Sequence, residues 1–471
     1  MQYSVVQTSE LDNIVFRLDA DYYHPSHLAL EKKLNKINLV SIRDAGGVFD
    51  CSAFYPSIVQ YYNFDGIGIP FLRVNEIQNG LLHLTTDTAF LPQEILDENK
   101  STIAKCKPGD MIIAKGGNSL AKVALLTQDY PIYSVCRDVI VLRTQKLDEL
   151  NRYYLWIFLH SNIGQQILLR TASQTGQPHL TVEALYQLDV PFFSPDYQDK
   201  FEFLYNKSQE LKALSITRYG QAQNLLLSEL GLSNWQPKHR LTFIKQYSDT
   251  DKAGRIDAEY FQPKYDEIVK AIKDYPGGWD ALENLAKLKD KNIDPADKAI
   301  YKYIELSNIA DNGEITDCIV EEGQDLPSRA RRKVTTGDVI VSTIEGSLSS
   351  IALIEKEYDQ ALCSTGFYVI NSKFFNSETL LILLKSMIGQ LQLKKGCSGT
   401  ILTAINKDEF NKIVLPKVDV NVQSQIQQKV TESFNLRKQS KHLLECAKRA
   451  VEIAIEQNEN AAIKWLQEKT K

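Results

Sequence analysis

The sequence predicts a mixed α/β (α+β) protein in which one domain occurs twice, the copies separated by two long helices that form an antiparallel coiled coil with pseudo-twofold symmetry. Three observations predict this. The nonapeptide RLDADYYHP at Arg17 returns as RIDAEYFQP at Arg255, an offset of 238 (255 minus 17). Further echoes follow in the same order. GDMIIAKGGNSLAKVALL from Gly109 faces GDVIVSTIEGSLSSIALI from Gly337, and YQLDVPFF faces NKIVLPKV, which sets Pro191 opposite Pro416. The offset falls to 228 (337 minus 109) and then 225 (416 minus 191), as two copies that have gained or lost a few loop residues would show. Thirdly, each proline is followed by a long segment with apolar residues at helical spacing.

Within each copy the elements come in one order. The Asp-Ala-Asp/Glu-Tyr start leads into an amphipathic helix, SHLALEKKLNKI or KYDEIVKAIKDY. Short β-branched runs follow, among them GDMIIA, VALLT and DVIVLR in the first copy and GDVIVS, IALIE and FYVIN in the second, each bounded by Gly, Asp or Asn. Phe71 to Gly80 and Tyr303 to Gly313 both close on an Asn-Gly turn signal. A helix, then a polar Gly-containing loop, then a last strand ending at the proline complete the copy. The long helix after Pro191 places Leu204, Leu211 and Leu225 at multiples of seven with Leu214 between them. The one after Pro416 carries Ile426, Val430, Phe434, Leu444, Ala447 and Val451, a stripe rather than a perfect heptad. Neither buries its stripe alone, so each is expected to pack on the other. The expected boundaries are residues 1–193 and 255–417 for the copies, 194–232 and 418–471 for the helices (the latter with a tail), and 233–254 for a linker.

Composition narrows the function classes. The chain has 471 residues, 24% of them charged and 43% hydrophobic, which excludes a disordered or collagen-like protein. A formal net charge of −5 argues against a protein that coats nucleic acid without regard to sequence. Seven cysteines scattered singly, without a CxxC pair, indicate a reducing compartment. The N-terminus lacks the basic start and apolar run of a signal peptide, and no apolar run is long enough to span a bilayer. A cytoplasmic protein is expected. Catalytic motifs are missing: there is no GxxxxGK[ST] loop, no strand-GxGxxG-helix fingerprint and no metal-ligand spacing of His and Cys. SPDY at Ser194 departs from the aminomethyltransferase pattern, with Asp196 at the place of its second proline, and reads as helix N-cap chemistry.

The doubled FLRVNEI...NG and GDMIIAKGG elements, SQTGQPHLTVEALYQLDVPFF before a long helix, and LGLSNWQP after it resemble the specificity (S) subunit of type I DNA restriction-modification systems, over essentially the whole chain. The resemblance implies two target-recognition domains, each reading half of a bipartite site in double-stranded DNA, on a helical spacer that docks two methyltransferase (M) subunits. It further implies that restriction (R) subunits join the complex. By the same resemblance this chain is non-catalytic and without a cofactor of its own. S-adenosylmethionine belongs to the M subunit, ATP and magnesium to the R subunit. About 35 helical residues would space the domains by roughly 50 Å, or roughly 15 base pairs. CSGTILTAINKDEF in the second copy departs from QTGQPHLTVEAL in the first, so the implied target is asymmetric.

On this reading the candidate DNA contacts are the basic cluster Arg329, Arg331, Arg332 and Lys333, taken as a loop, and Lys115, Asn118 and Lys122 of the Gly-rich segment. Gln174, Gln177 and His179, with Lys394, Lys395, Ser398 and Thr400 in the second copy, are expected on loops where they can meet base edges. Arg73 and Asn75 sit at a strand end. Asp19 and Tyr22, with Asp257 and Tyr260, read as an architectural lock rather than as a repeated catalytic dyad. The alternatives are a non-catalytic protein-binding scaffold and a divergent nuclease or methyltransferase.

Overall fold

The computed structural model describes residues 4–8, 11, 17–127, 129–172, 177–310, 312–316, 318–399 and 403–470. It divides into two compact units, Met1–Glu210 with Gln439–Lys471, and Leu211–Lys438. Among the described residues no helix is long and apolar enough to cross a membrane.

In the first unit the β-branched runs form two sheets. One has strand order Val48–Cys51, Val139–Arg143, Met111–Ala114, Val123–Leu125, Leu81–Leu82, Ile77–Gln78; the other has order Ala89–Leu91, Ile69–Leu72, Tyr133–Val135, Lys105–Cys106. The run at Met111 is apolar at every position because both faces of its strand are covered. Met111, Ile113, Ile140 and Leu142 face a core made with the helices Arg152–His160 and Asn162–Thr171, whereas Ile112, Ala114, Val139 and Val141 face the second sheet. The second unit repeats this plan: Ala286–Lys289, Phe367–Ser372, Val339–Ser342, Ile351–Leu353 in one sheet, Ile319–Glu322, Ile300–Ile304, Leu362–Ser364, Ala330–Lys333 in the other. Val339 and Val341 face one core, Ile340 and Val369 the other. Arg331 to Lys333 therefore lie on a strand, not on the loop expected from their charge.

The motifs that repeat most faithfully hold this frame. Gly109 and Gly337 have φ of +86° and +88°, a turn that favours glycine, and each precedes a buried aspartate. Asp110 accepts from the Lys107 and Thr144 amides at 2.9 and 3.0 Å; Asp338 accepts from the Thr335 amide at 2.8 Å and from Lys289 Nζ at 2.7 Å. The opening nonapeptide is a lock in both copies. Arg17 donates to Asp19 at 2.5 Å and to the Ala172 carbonyl at 3.0 Å, with its guanidinium 4.9 Å from the centre of the Tyr22 ring. Arg255 donates to Asp257 at 2.7 Å and to the Cys397 carbonyl at 2.9 Å, over Tyr260 at 4.4 Å. In each case the arginine's hydrogen bond holds the aspartate below the ordinary carboxylate range.

The long helices are Pro195–Glu229 and Val420–Glu456. The second has a regular heptad seam once its polar members are counted: Ile426, Val430, Ser433, Arg437, Ser440, Leu444, Ala447, Val451 and Ala454 follow one another at alternating steps of four and three. Reading apolar residues alone broke that pattern. On the first helix Phe201, Leu204, Ser208, Ser215, Tyr219, Ala222 and Leu226 are buried and Leu211 and Leu225 are half-buried, whereas Leu214 is 41% exposed and lies off the seam. Pairing is antiparallel. Ser208 meets Ser440 at 2.8 Å in the first unit, and Ser215 meets Ser433 at 3.0 Å in the second. Ser440 and Ser433 also donate to the carbonyls of Ser208 and Ser215 at 2.9 and 2.8 Å, a backbone approach that small residues permit. At the repeat offset of 225 Ser208 corresponds to Ser433 and Ser215 to Ser440, so each pair joins a serine of one copy to the opposite serine of the other. Ser194 supplies the carbonyl that starts the first helix but turns its hydroxyl to Glu459, not back to cap the amides.

Candidate functional site

In the first unit three segments meet beyond the end of the strand Met111–Ala114. The loop at residues 115–121 leaves this strand, the turn at 136–138 precedes Val139–Arg143, and the chain at 177–180 follows the helix Asn162–Thr171. The Lys115 amide donates to the Asp138 carbonyl at 2.9 Å, the Leu180 amide donates to the Lys115 carbonyl at 2.8 Å, and Gly116 forms an antiparallel bridge with His179. A Cβ on Gly116 would lie 3.2 Å from His179 Nδ1, so the glycine allows that approach. Gly117, at φ +68°, faces open space. Asn118, Lys122, Arg137, Gln177 and His179 are exposed around this junction and Lys115 is half-buried.

The second unit builds the same junction from other residues. The Thr343 amide donates to the Gly366 carbonyl at 2.9 Å, the Ile405 amide to the Thr343 carbonyl at 2.8 Å, and Ile344 bridges Ala404. At equivalent positions Lys115 becomes Thr343, Arg137 becomes Thr365, Asp138 becomes Gly366 and His179 becomes Ala404. The Thr365 amide donates to the Arg329 carbonyl at 2.9 Å, which brings an exposed arginine to the junction from another strand end. Glu345 and Thr403 join through a backbone bond of 3.0 Å.

Of the sequence candidates, Lys115, Asn118, Lys122, Gln177 and His179 thus surround one junction and Arg329 lies at the other. Ser398 pairs with Ala404 across a two-stranded ladder and so borders the second. The remaining cations stand on other elements. Arg331 is paired with Asp294, Arg332 donates to the Phe367 carbonyl with its guanidinium over Tyr368, and Lys333 is exposed on the strand. Lys394 and Lys395 occupy the last turn of a helix, Met387–Gly396, rather than a loop, and Lys395 is 3.0 Å from Asp266. Arg73 bonds the buried Glu76 at 3.2 Å and the Asp87 carbonyl at 2.6 Å; Asn75 is exposed. Gln174 and Thr400 lie outside the described residues. Sequence reasoning missed Arg137 and Asp138 with Thr365 and Gly366. The signal was there: Cys-Arg-Asp and Ser-Thr-Gly stand 228 positions apart (364 minus 136), the offset already set by the glycine-rich segment.

Chemically the junctions present amide, hydroxyl, ammonium, guanidinium and imidazole groups on pinned backbone, a set suited to hydrogen bonding and charge pairing. Burial raises the thiols beside them, Cys136 to about 11 and Cys363 to about 12, so neither is a ready nucleophile near neutrality. Among the described residues no cluster of three His, Cys, Asp or Glu side chains could hold a metal ion.

No family model matches this chain, and no curated protein does. Solved structures do. The chain is similar to the S subunit of a type I restriction-modification system from M. genitalium, at 12% identity over 92% of this chain and 96% of that one, TM-score 0.37. It is similar to the HsdS subunit from Thermoanaerobacter tengcongensis, at 12% identity over 88% and 97%, TM-score 0.26. A third likeness is to a chain from a study of complex assembly and conformational transition of the type I R-M system, at 13% identity over 90% and 98%, TM-score 0.26.

Proposed function

We propose that the chain is the DNA sequence-specificity subunit of a type I restriction-modification complex. It recognises an asymmetric bipartite target in double-stranded DNA, one half-site at each junction, and docks two methyltransferase subunits, with restriction subunits joining the same assembly. The chain itself is non-catalytic. S-adenosylmethionine is the methyltransferase subunit's cofactor, and ATP and magnesium serve the restriction subunit.

The observation that carries this reading is the three-segment junction, built twice on one frame with different side chains. Base edges in the major groove are told apart by donor and acceptor patterns, so changing the side chains at a fixed backbone changes the sequence read. Lys115 and Arg137 suit the acceptors of guanine, Asn118 and Gln177 the paired donor and acceptor of adenine, and Thr343 and Thr365 either base type or a thymine methyl. Lys122, Arg329 and Lys333 suit phosphates, which fix register without reading sequence. The paired long helices are the spacer between half-sites.

The test is single-molecule sequencing of adenine methylation in the host genome with the gene intact and deleted. Loss of methylation at one asymmetric split motif is the expected result. Unchanged methylation, in a host whose methyltransferase subunit is expressed and active, would overturn the proposal.

A further inference from the structure

Between the strands Val48–Cys51 and Ile69–Leu72 the first unit carries an aromatic loop, SAFYPSIVQYYNFDGIG, that is longer than its counterpart between Ala286–Lys289 and Ile300–Ile304 in the second copy. The loop is pinned by its own bonds. Ser52 Oγ donates to the Val135 carbonyl at 2.6 Å and accepts from the Ala104 amide at 2.9 Å, and the Ala53 amide donates to the Thr102 carbonyl at 2.8 Å. Ile58 is buried, Tyr55 and Tyr62 pack on Phe71 with ring centres 6.3 and 5.6 Å away, and Asn63 bridges Phe90. With these side chains turned inward, Phe54 is left 77% exposed. The guanidinium of Arg137 stands 5.6 Å from the Phe54 ring centre and 5.5 Å from that of Tyr55. Arg137 belongs to the turn whose next residue accepts the Lys115 amide, so Phe54 borders the first junction.

The same loop leaves Val59, Phe64 and Ile67 bare as well as Phe54, and several bare apolar side chains on one anchored loop mark an interaction site. The Phe54 ring lies against the Arg137 guanidinium, and Arg137 precedes the residue that accepts the Lys115 amide, which fits a polyanion that also has flat apolar surfaces. We infer that Phe54, backed by Arg137, stacks on the face of a DNA base at an opened step of the half-site read by the first unit, while the guanidinium neutralises the adjoining phosphate. Aromatic insertion of this kind unstacks a base step and exploits its deformability, adding discrimination at a position with no hydrogen-bonded readout. The inference rests on the specificity reading above. The second copy pairs Lys289 with Val369 where the first pairs Asp50 with Val141, an offset of 239 that puts the half-buried Ile293 at the position of Phe54, so the element belongs to one half-site alone.

The full chain, assembled with methyltransferase subunits of its host, is assayed for methylation of a duplex carrying the motif found by sequencing. Phe54→Ala is expected to slow methylation about tenfold to a hundredfold, the loss associated with one base stacked on an aromatic. Phe54→Trp should restore the rate and Phe54→Leu should not, because the role is stacking rather than apolar cover. The exposed position makes each variant fold like the parent, which thermal melting checks. Equal rates for Phe54→Ala and the parent, or rescue by Phe54→Leu as complete as by Phe54→Trp, would overturn the inference and leave the specificity reading intact. A parent chain that directs no methylation at any motif overturns both.

Discussion

The two junctions share a backbone and differ in nearly every side chain that reaches solvent. Lys115 against Thr343 and His179 against Ala404 are not conservative exchanges, yet the amide-to-carbonyl bonds at each position survive them. The reason is that these bonds belong to the backbone, at the ends of strands buried on both faces. Such a frame lets a recognition surface change without refolding. The units differ in a second way, inside. Arg437 and Glu314 form a buried pair at 2.9 Å in the second unit, with Arg437 filling a seam position. Leu81 follows the Asn-Gly turn of the first copy where Glu314 follows that of the second, and Lys212 is the repeat equivalent of Arg437.

That buried pair is where the comparison breaks most easily. Glu314→Gln strands the guanidinium in a dry seam, and is expected to destabilise the second unit by about 3–5 kcal/mol. Amide exchange in Val339–Ser342 should then speed up while exchange in Met111–Ala114 stays as it was. Replacing both partners, Glu314→Leu with Arg437→Met, should recover most of the loss. If the single and double variants are equally destabilised, the pair is not what holds that part of the seam.

Between pH 6.5 and 4 a buried histidine should act on the first unit. Burial, aided by the charge of nearby Lys448, lowers His160 to about 4 from its usual value near 6.5. The unfolded chain then takes up a proton in this window that the folded one refuses. Stability from this group is full above pH 6.5, falls between 6.5 and 4 by an amount on the order of 3 kcal/mol, and levels off below. Urea unfolding at stepped pH, read in the first unit, checks this, and His160→Gln should flatten the dependence. The repeat equivalent in the second unit is Lys385, which donates to the Ser349 carbonyl at 2.6 Å.

At the junctions the effects are smaller and fall on recognition rather than folding. Lys115→Thr or Arg137→Thr gives the first junction the second's side chain at that point. Each should cost about 1–3 kcal/mol of discrimination, relaxing one half of the methylated motif and leaving the other half as stringent as before. Relaxation of both halves at once would mean that the substitutions act on the frame. Sequencing of methylated adenines reads both outcomes.

Much of this was legible in the sequence, because repetition exposes the frame. The buried strands, the aspartates after Gly109 and Gly337, and the arginine locks at Arg17 and Arg255 were written twice and could be aligned by eye. The junctions were only half legible. Lys115 and His179 were visible as polar residues in glycine-rich stretches, but Arg137 became a neighbour through strand pairing some 20 residues away in the chain, and no local pattern announces such a meeting. Charge density was half legible for a related reason. Sequence shows the cations Arg331, Arg332, Lys394 and Lys395 without showing the Asp294, Phe367 carbonyl and Asp266 beside three of them.

The seam misled, since serine does not look like a core residue. Ser208, Ser215, Ser433 and Ser440 nevertheless occupy its centre, where a leucine would hold the helices further apart. Each hydroxyl pair is satisfied across the seam, so its net worth is modest. Ser208→Ala should cost about 1 kcal/mol, because the Ser440 hydroxyl keeps its bond to the Ser208 carbonyl. Ser215→Ala should cost the same in the second unit, where Ser433 keeps its bond to the Ser215 carbonyl. Equality is the informative outcome. The repeat offset of 225 exchanges the two pairs, so equal losses in thermal melting would mean that the two serine contacts are equivalent although the junction side chains are not. A loss in one alone would mean that the environment of the helices, and not the serine contact, sets its strength.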